Sequence, residues 1–172
     1  VSTLDFMENM KKFKINNNFA VAVSGGPDSL ALMLLSNEFA NQLDIKMTVI
    51  CIDHNLRKNS SSEVKWVRSE AMKLGAHFIT AKIPKNNLKS NLMSYARDVR
   101  YKELYKICSR KKIKVLLTAH HLDDEIENFL MRLVRGSGIK GLSSLKEKSM
   151  VNNNKLQLIR PLLRYPKKSL IK

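Results

Sequence analysis

Two cysteines, Cys51 and Cys108, are all that this chain of 172 residues contains. They are too few and too far apart for a CxxC site or a disulfide framework. No apolar run approaches the roughly 18–20 residues that a membrane-spanning helix needs, so no membrane partner is expected. Val1 to Lys12 lacks the charged-then-apolar layout of a signal peptide. Acidic residues are scarce too, 15 against 31 Lys and Arg, which leaves a formal charge of +16. The shortages exclude a disulfide-stapled secreted domain and an integral membrane protein, and a cytoplasmic location is expected. Hydrophobic residues make up 44%, enough to bury a core and to exclude general disorder.

The charge is uneven. Residues 1–53 carry net −2, residues 54–115 net +12 and residues 116–172 net +6. A basic middle beside a near-neutral start suits a polyanion partner. The composition offers a blander source: 22 of the basic residues are Lys and 15 residues are Asn, an excess that AT-rich coding also produces.

Short apolar runs alternate with helical spacings. Strands are predicted at Phe19–Val23, Ile45–Ile52, His77–Ala81, Val115–Ala119 and Leu156–Ile159. Helices are predicted at Asp28–Leu43, Ser60–Leu74, Ser90–Cys108 and His121–Val134, with Gly75 and Gly136 as stops. Near-continuous apolar strands separated by helices point to a Rossmann-like, three-layer α/β/α fold around a mostly parallel five-stranded sheet. Asn16–Asn18 and Asn152–Asn154 read as loops. Pro166 suits a first helical turn, and Lys167–Lys172 reads as the start of a helix. The expectation is one catalytic domain over residues 1–172, cut from a longer enzyme.

The first candidate site is Ser24-Gly25-Gly26-Pro27-Asp28-Ser29, between a strand and a helix. Two glycines allow close backbone approach, and a helix N-terminus offers unpaired N–H groups and a positive dipole end. Ser24 and Ser29 add hydroxyls. All of this suits phosphate. The loop has no Walker lysine, so positive charge must come from elsewhere in the chain or from a metal ion. Asp28 beside phosphates calls for a cation between them. The plain alternative is a Gly-Pro turn with Ser and Asp capping.

The SGGPDS hexapeptide resembles the pyrophosphate loop of the PP-loop ATP-pyrophosphatase superfamily, whose members cleave ATP to AMP and pyrophosphate. Further runs sharpen the likeness. Asp53-His54-Asn55-Leu56-Arg57, Ala96-Arg97 with Arg100-Tyr101, His120-His121-Leu122-Asp123-Asp124 with Glu127-Asn128, Arg132 to Leu142 and Arg160-Pro161-Leu162-Leu163 are similar, in order, to the tRNA(Ile)-lysidine synthase family. Asn128 departs from that pattern, which has Thr there. The resemblance covers about residues 19–170.

It implies ATP and Mg²⁺ as cofactors, and free L-lysine and a tRNA(Ile) with a CAU anticodon as partners. Lysine would be ligated to the wobble cytidine through an adenylated base. On that reading Ser24, Gly25, Gly26, Pro27, Asp28 and Ser29 hold the nucleotide phosphates, Asp53 frames the adenosine, and Asp28 carries the metal. Arg97 and Arg100 share a helical face with Tyr101, and one of them supplies the missing cation; a solvated basic face is the alternative. Asp123, Asp124 and Glu127 bind lysine and act as base, with His121 beside the substrate; Asp28, His120, Asp124 and Glu127 form the catalytic set. Helix capping and a divalent-metal site are the competing readings of that cluster. Arg57, Arg68, Arg132 and Arg135 are candidates for tRNA phosphates. A thiolating PP-loop enzyme and a non-enzymatic nucleotide-binding domain are the rival functions. Weak or absent activity is expected of residues 1–172 alone.

Overall fold

The computed structural model describes residues 1–53, 60–83, 92–134 and 145–170. Helix α1 (Thr3–Lys11) precedes strand β1 (Phe19–Ala22), helix α2 (Pro27–Gln42), strand β2 (Met47–Asp53), helix α3 (Ser60–Lys73) and strand β3 (His77–Lys82). Helix α4 (Leu92–Arg110), strand β4 (Val115–Leu117), helix α5 (Leu122–Val134), and strands β5 (Lys148–Val151) and β6 (Leu156–Ile159) complete the order.

The six strands form one sheet in the order β3-β2-β1-β4-β6-β5. All neighbours are parallel except β5 and β6. The expected α/β architecture is therefore present, with one correction: among the described residues the sheet has six strands, not five. The additional strand is β5, joined to β6 through Asn152–Asn154. Those three asparagines all have positive φ, between 52° and 61°, a conformation that Asn tolerates better than most residues. Strand β5 alternates exposed and half-buried residues. Its Lys148-Ser149-Met150-Val151 lacks the apolar run that marks a buried strand.

Alternation along the central strands feeds two cores. Phe19, Val21 and Val23 pack with Val49, Cys51, Leu117 and Ile159 beneath α1, α2 and α3. Ala20, Ile50, Ile52, Leu116 and Leu158 face the other way, onto Leu104, Ile107 and Cys108 of α4. Each fully buried Leu or Phe contributes about 1.5–3 kcal/mol relative to an exposed one. On these helices Met33, Ala40, Val67, Ala71 and Leu104 are buried, whereas Leu34 is half exposed.

Helix α1 is an addition to the sequence reading. Its signals are present: a capping box between Ser2 and Asp5, then Phe6, Met7 and Met10 on the buried side. Helix α3 stops where expected. Gly75 takes φ +70°, with Gly75 N donating to Met72 O and Ala76 N to Ala71 O, a Schellman closure. The predicted helix at Lys167 is a single 3-10 turn over Lys167–Ser169. Helix α5 buries none of its residues, and Ile126, Phe129, Leu130 and Leu133 are each about half exposed.

Strand β1 crosses over to β2 on one side, and β4 crosses toward β6 on the other. The order reverses between β1 and β4, which opens a crevice beyond their carboxyl ends. In doubly wound sheets ligands bind at such a switch point.

Candidate active site

The loop after β1 is held by its own hydroxyls. Ser29 Oγ donates to Gly26 O at 2.8 Å, and Ser24 N donates to Ser29 Oγ at 3.2 Å. Ser24 Oγ and Ser29 Oγ lie 3.3 Å apart. Gly25 has φ +88°, a conformation costly for any residue with a Cβ. Gly26 caps α2 with no side-chain bond, and Pro27 opens the helix. This leaves the first N–H groups of α2 without a side-chain acceptor at the mouth of the loop.

Across the crevice, β4 runs into α5 through Thr118, Ala119, His120 and His121. His121 is the N-cap of α5, and its cap is reciprocal. Asp124 N donates to His121 Nδ1 at 3.3 Å, while His121 N donates to Asp124 Oδ2 at 2.9 Å. This is a capping box with histidine in the place of Ser or Thr. Because Nδ1 accepts, the hydrogen-bond network assigns the ring proton to Nε2, which faces Asp28 Oδ2 at 3.5 Å. The capping reading of this cluster is therefore correct for His121 and Asp124, and it also aims the His121 ring at the phosphate loop.

His120 is braced on both nitrogens. Its Nδ1 lies 3.1 Å from Thr118 Oγ1 and its Nε2 lies 3.5 Å from Tyr101 Oη. Burial, followed by the nearby charges of Arg160, Arg97 and Arg100, lowers its pKa to about 3. His120 is neutral at physiological pH, so its ring can accept or donate a hydrogen bond but carries no charge. Arg160 is itself buried: Nη1 donates to Lys146 O at 2.7 Å, and burial lowers its pKa.

One cavity gathers these groups. It is lined by Ser24, Gly26, Asp28, Ser29, Arg100, Tyr101, Thr118, His120, His121 and Asp124, over apolar walls from Ile50, Ile52 and Leu104. The structure thus joins most of the predicted phosphate loop to Arg100, His120, His121 and Asp124. Gly25 and Pro27 lie within the same loop but outside the cavity lining.

Other predicted residues fall elsewhere. Asp53 is buried at the end of β2, in register with Lys82 and outside the lining. Arg97 is exposed one turn before Arg100. Glu127 is exposed on α5, and Arg132 sits in its last turn. Arg68 stacks its guanidinium over Phe78 at 5.9 Å. Arg57 and Arg135 lie outside the described residues. Asp123 lies outside the cavity lining, its Oδ2 3.7 Å from His121 Nδ1: that oxygen accepts Lys167 N at 2.6 Å, and this bond, first among the causes, holds the carboxyl below its ordinary pKa. Lys167 had no signal beyond a position after a proline.

Asp28 bears on the question of a cation. Its Oδ2 faces His121, and also Lys167 Nζ at 3.7 Å. Its Oδ1 is buried with no hydrogen-bond partner. A buried carboxylate oxygen without a partner is costly. A hard divalent cation shared with phosphate oxygens would satisfy it. The residues present therefore fit Mg²⁺.

The PP-loop domain model, an ATP-binding family, matches residues 2–172. The chain belongs to the PP-loop family. Among curated proteins, a tRNA(Ile)-lysidine synthase of Rickettsia bellii is 45% identical over 156 residues, covering 90% of the chain and 35% of that protein. One from Rickettsia felis is 43% identical over 169 residues, covering 93% of the chain and 38% of that protein. This PP-loop chain thus spans little more than a third of the relatives it matches.

Solved structures share the fold, two of them as follows. The U34-tRNA thiolase NcsA of Methanococcus maripaludis, with its [4Fe-4S] cluster, has TM-score 0.81 at 21% identity, covering 97% of this chain and 61% of the thiolase. The NH3-dependent NAD synthetase of Campylobacter jejuni has TM-score 0.59 at 13% identity, covering 99% and 71%. Cys51 and Cys108 are buried in opposite cores, on the two sides of the sheet. Burial raises their pKa to about 11 and about 12. Neither is a ready nucleophile.

Proposed function

We propose that this chain is the ATP-binding catalytic portion of a cytoplasmic tRNA(Ile)-lysidine synthase. The observation that carries the reading is the single cavity that combines the pyrophosphate loop with Arg100, His121 and Asp124, in a chain whose relatives bear that name. Among the described residues no helix is long and apolar enough to cross a membrane.

The reaction joins free L-lysine to the wobble cytidine of a CAU-anticodon tRNA(Ile). The 2-oxo oxygen of the base attacks the α-phosphorus of ATP, and pyrophosphate leaves. The lysine amine then attacks the activated ring carbon, loses a proton, and AMP departs with the former 2-oxo oxygen.

The residues divide this work by position. N–H groups of the Ser24–Ser29 loop and of the start of α2 receive the departing pyrophosphate. Asp28 would hold Mg²⁺, which would supply charge neutralisation for the phosphates. Arg100 approaches from the opposite wall with a guanidinium suited to phosphate oxygens. His121, fixed as the cap of α5, holds its Nε2 beside Asp28 Oδ2 and so orients that carboxylate. Asp124 is the carboxylate that lines the cavity from α5, so it is the one we assign to the lysine ammonium and its proton. Asp123 and Glu127 are secondary to it, because one is turned toward Lys167 and the other toward solvent. The cytosine must leave its stack to enter the cavity. Arg132 and the basic middle segment are assigned to tRNA phosphates.

A chimera tests the reading: this chain replaces the matching segment of the Rickettsia bellii relative. Lysidine formation on a CAU-anticodon tRNA(Ile) transcript is followed by mass spectrometry, and pyrophosphate release is measured with tRNA and lysine added or omitted. Release that requires tRNA and a product that contains lysine support it. Release indifferent to both additions overturns it.

A further inference from the structure

The phosphate loop carries no lysine of its own, and the sequence directs attention to Arg97 and Arg100 for the missing charge. The structure offers a further cation, beside Asp28. We propose that Lys167, presented from the segment that follows β6, is a phosphate-binding cation of the PP-loop and contacts the pyrophosphate part of the nucleotide. The proposal rests on the reading of the Ser24–Ser29 loop as the pyrophosphate site.

Three observations converge on it. Lys167 Nζ stands 3.7 Å from Asp28 Oδ2, and Asp28 lines the cavity beside Ser24, Gly26 and Ser29. The backbone at Lys167 is anchored from both sides: Lys167 N donates to Asp123 Oδ2 at 2.6 Å, and Leu122 N donates to Tyr165 O at 3.0 Å. Pro166, extended at φ −68° and ψ 147°, launches Lys167 as the first residue of a 3-10 turn. The segment is therefore tied to the first turn of α5 while its lysine reaches across to the loop on α2.

The contact itself is weak. The Lys167 side chain is 50% exposed, and a half-exposed pair at this distance adds little stability. A structural role alone does not account for an anchored backbone that serves so loose a pair. A lysine is a compact point charge on a flexible stem, so it can leave Asp28 when a polyanion arrives. Arg100 lines the cavity from α4 and Lys167 stands beside Asp28 at its edge, so the phosphates would meet cations from two directions. The geometry also gives Asp123 a role the sequence did not suggest: it positions the Lys167 backbone.

The test is binding of inorganic pyrophosphate, and separately of ATP with Mg²⁺, to the intact chain by calorimetry. Lys167→Met should weaken pyrophosphate binding about tenfold or more, and Lys167→Arg should recover most of it. Lys168→Met removes the same charge one residue further on and should leave binding unchanged. Every variant keeps the backbone N–H that Asp123 accepts, and thermal unfolding confirms a fold equal to wild type. Lys167→Met binding as tightly as wild type, or more tightly, overturns the proposal and leaves the loop reading standing. An equal loss in Lys168→Met also overturns it, since the effect would then be general charge. Wild-type chain that binds neither pyrophosphate nor ATP overturns the loop reading and the Lys167 proposal together.

Discussion

The loop after β1 and the junction between β4 and α5 face each other across one cavity, yet they are built on opposite principles. The first uses backbone and small hydroxyls, and its bonds join residues five positions apart or fewer. The second uses ionisable side chains, and its bonds reach Tyr101, Asp28 and Lys167. A phosphate cradle must be the same shape before and after its ligand comes, which short-range backbone bonding provides. On the proposed function the second wall would bind an amine, which calls for charged groups, and these hold still only when distant elements brace them.

Asp28 is where the two walls meet, so its loss should have the largest effect. Asp28→Ala in the chimera should lower pyrophosphate release about 10²–10³-fold, measured under saturating ATP and Mg²⁺. Full activity would mean that the walls do not cooperate through this carboxylate. His121→Ala removes the side-chain half of the α5 cap and should cost about 1–2 kcal/mol in denaturant unfolding. A cost near zero would show that the reciprocal bonds with Asp124 are not maintained in solution.

Gly25→Ala should cost about 1–2 kcal/mol, because the backbone is left-handed there. Space is not the obstacle: an added Cβ would meet Val67 Cγ2 at 3.5 Å, ordinary contact. A separate effect is one of pH. The native pKa of His120 is about 3, below its unfolded value of 6.5. Between those values the unfolded chain binds more protons, so stability rises with pH through that window and is lost as pH falls through it. The His120 ring should stay neutral at pH 5 by NMR, and a ring that protonates near pH 6.5 would remove the distinction between a braced and an ordinary histidine.

The same contrast explains what could be read from the sequence. Ser24 to Ser29 announced itself because glycines, proline and hydroxyls act on their immediate neighbours. The apolar runs of β1, β2 and β4 were equally plain, since a strand buried on both faces has no other composition. Strand β5 was not, because its stability comes from pairing with β6 rather than from its own residues. At the second wall the residues were legible but their assignments were not. Asp123 and Asp124 are adjacent acids with the same propensity, yet one faces the cavity and the other holds Lys167. That difference depends on where a segment more than forty residues later returns. Arg97 and Arg100 likewise share a helical face in principle, but of the two only Arg100 lines the cavity.

The histidine cap has a consequence for observing the molecule. Asp124 N–H ends on His121 Nδ1, and Leu122 N–H ends on Tyr165 O. Both protons exchange with solvent only when the start of α5 opens, and that opening withdraws the His121 ring from Asp28. The deuterium uptake of two amides would thus serve as a clock for assembly of the site, readable without substrate and before any turnover is attempted.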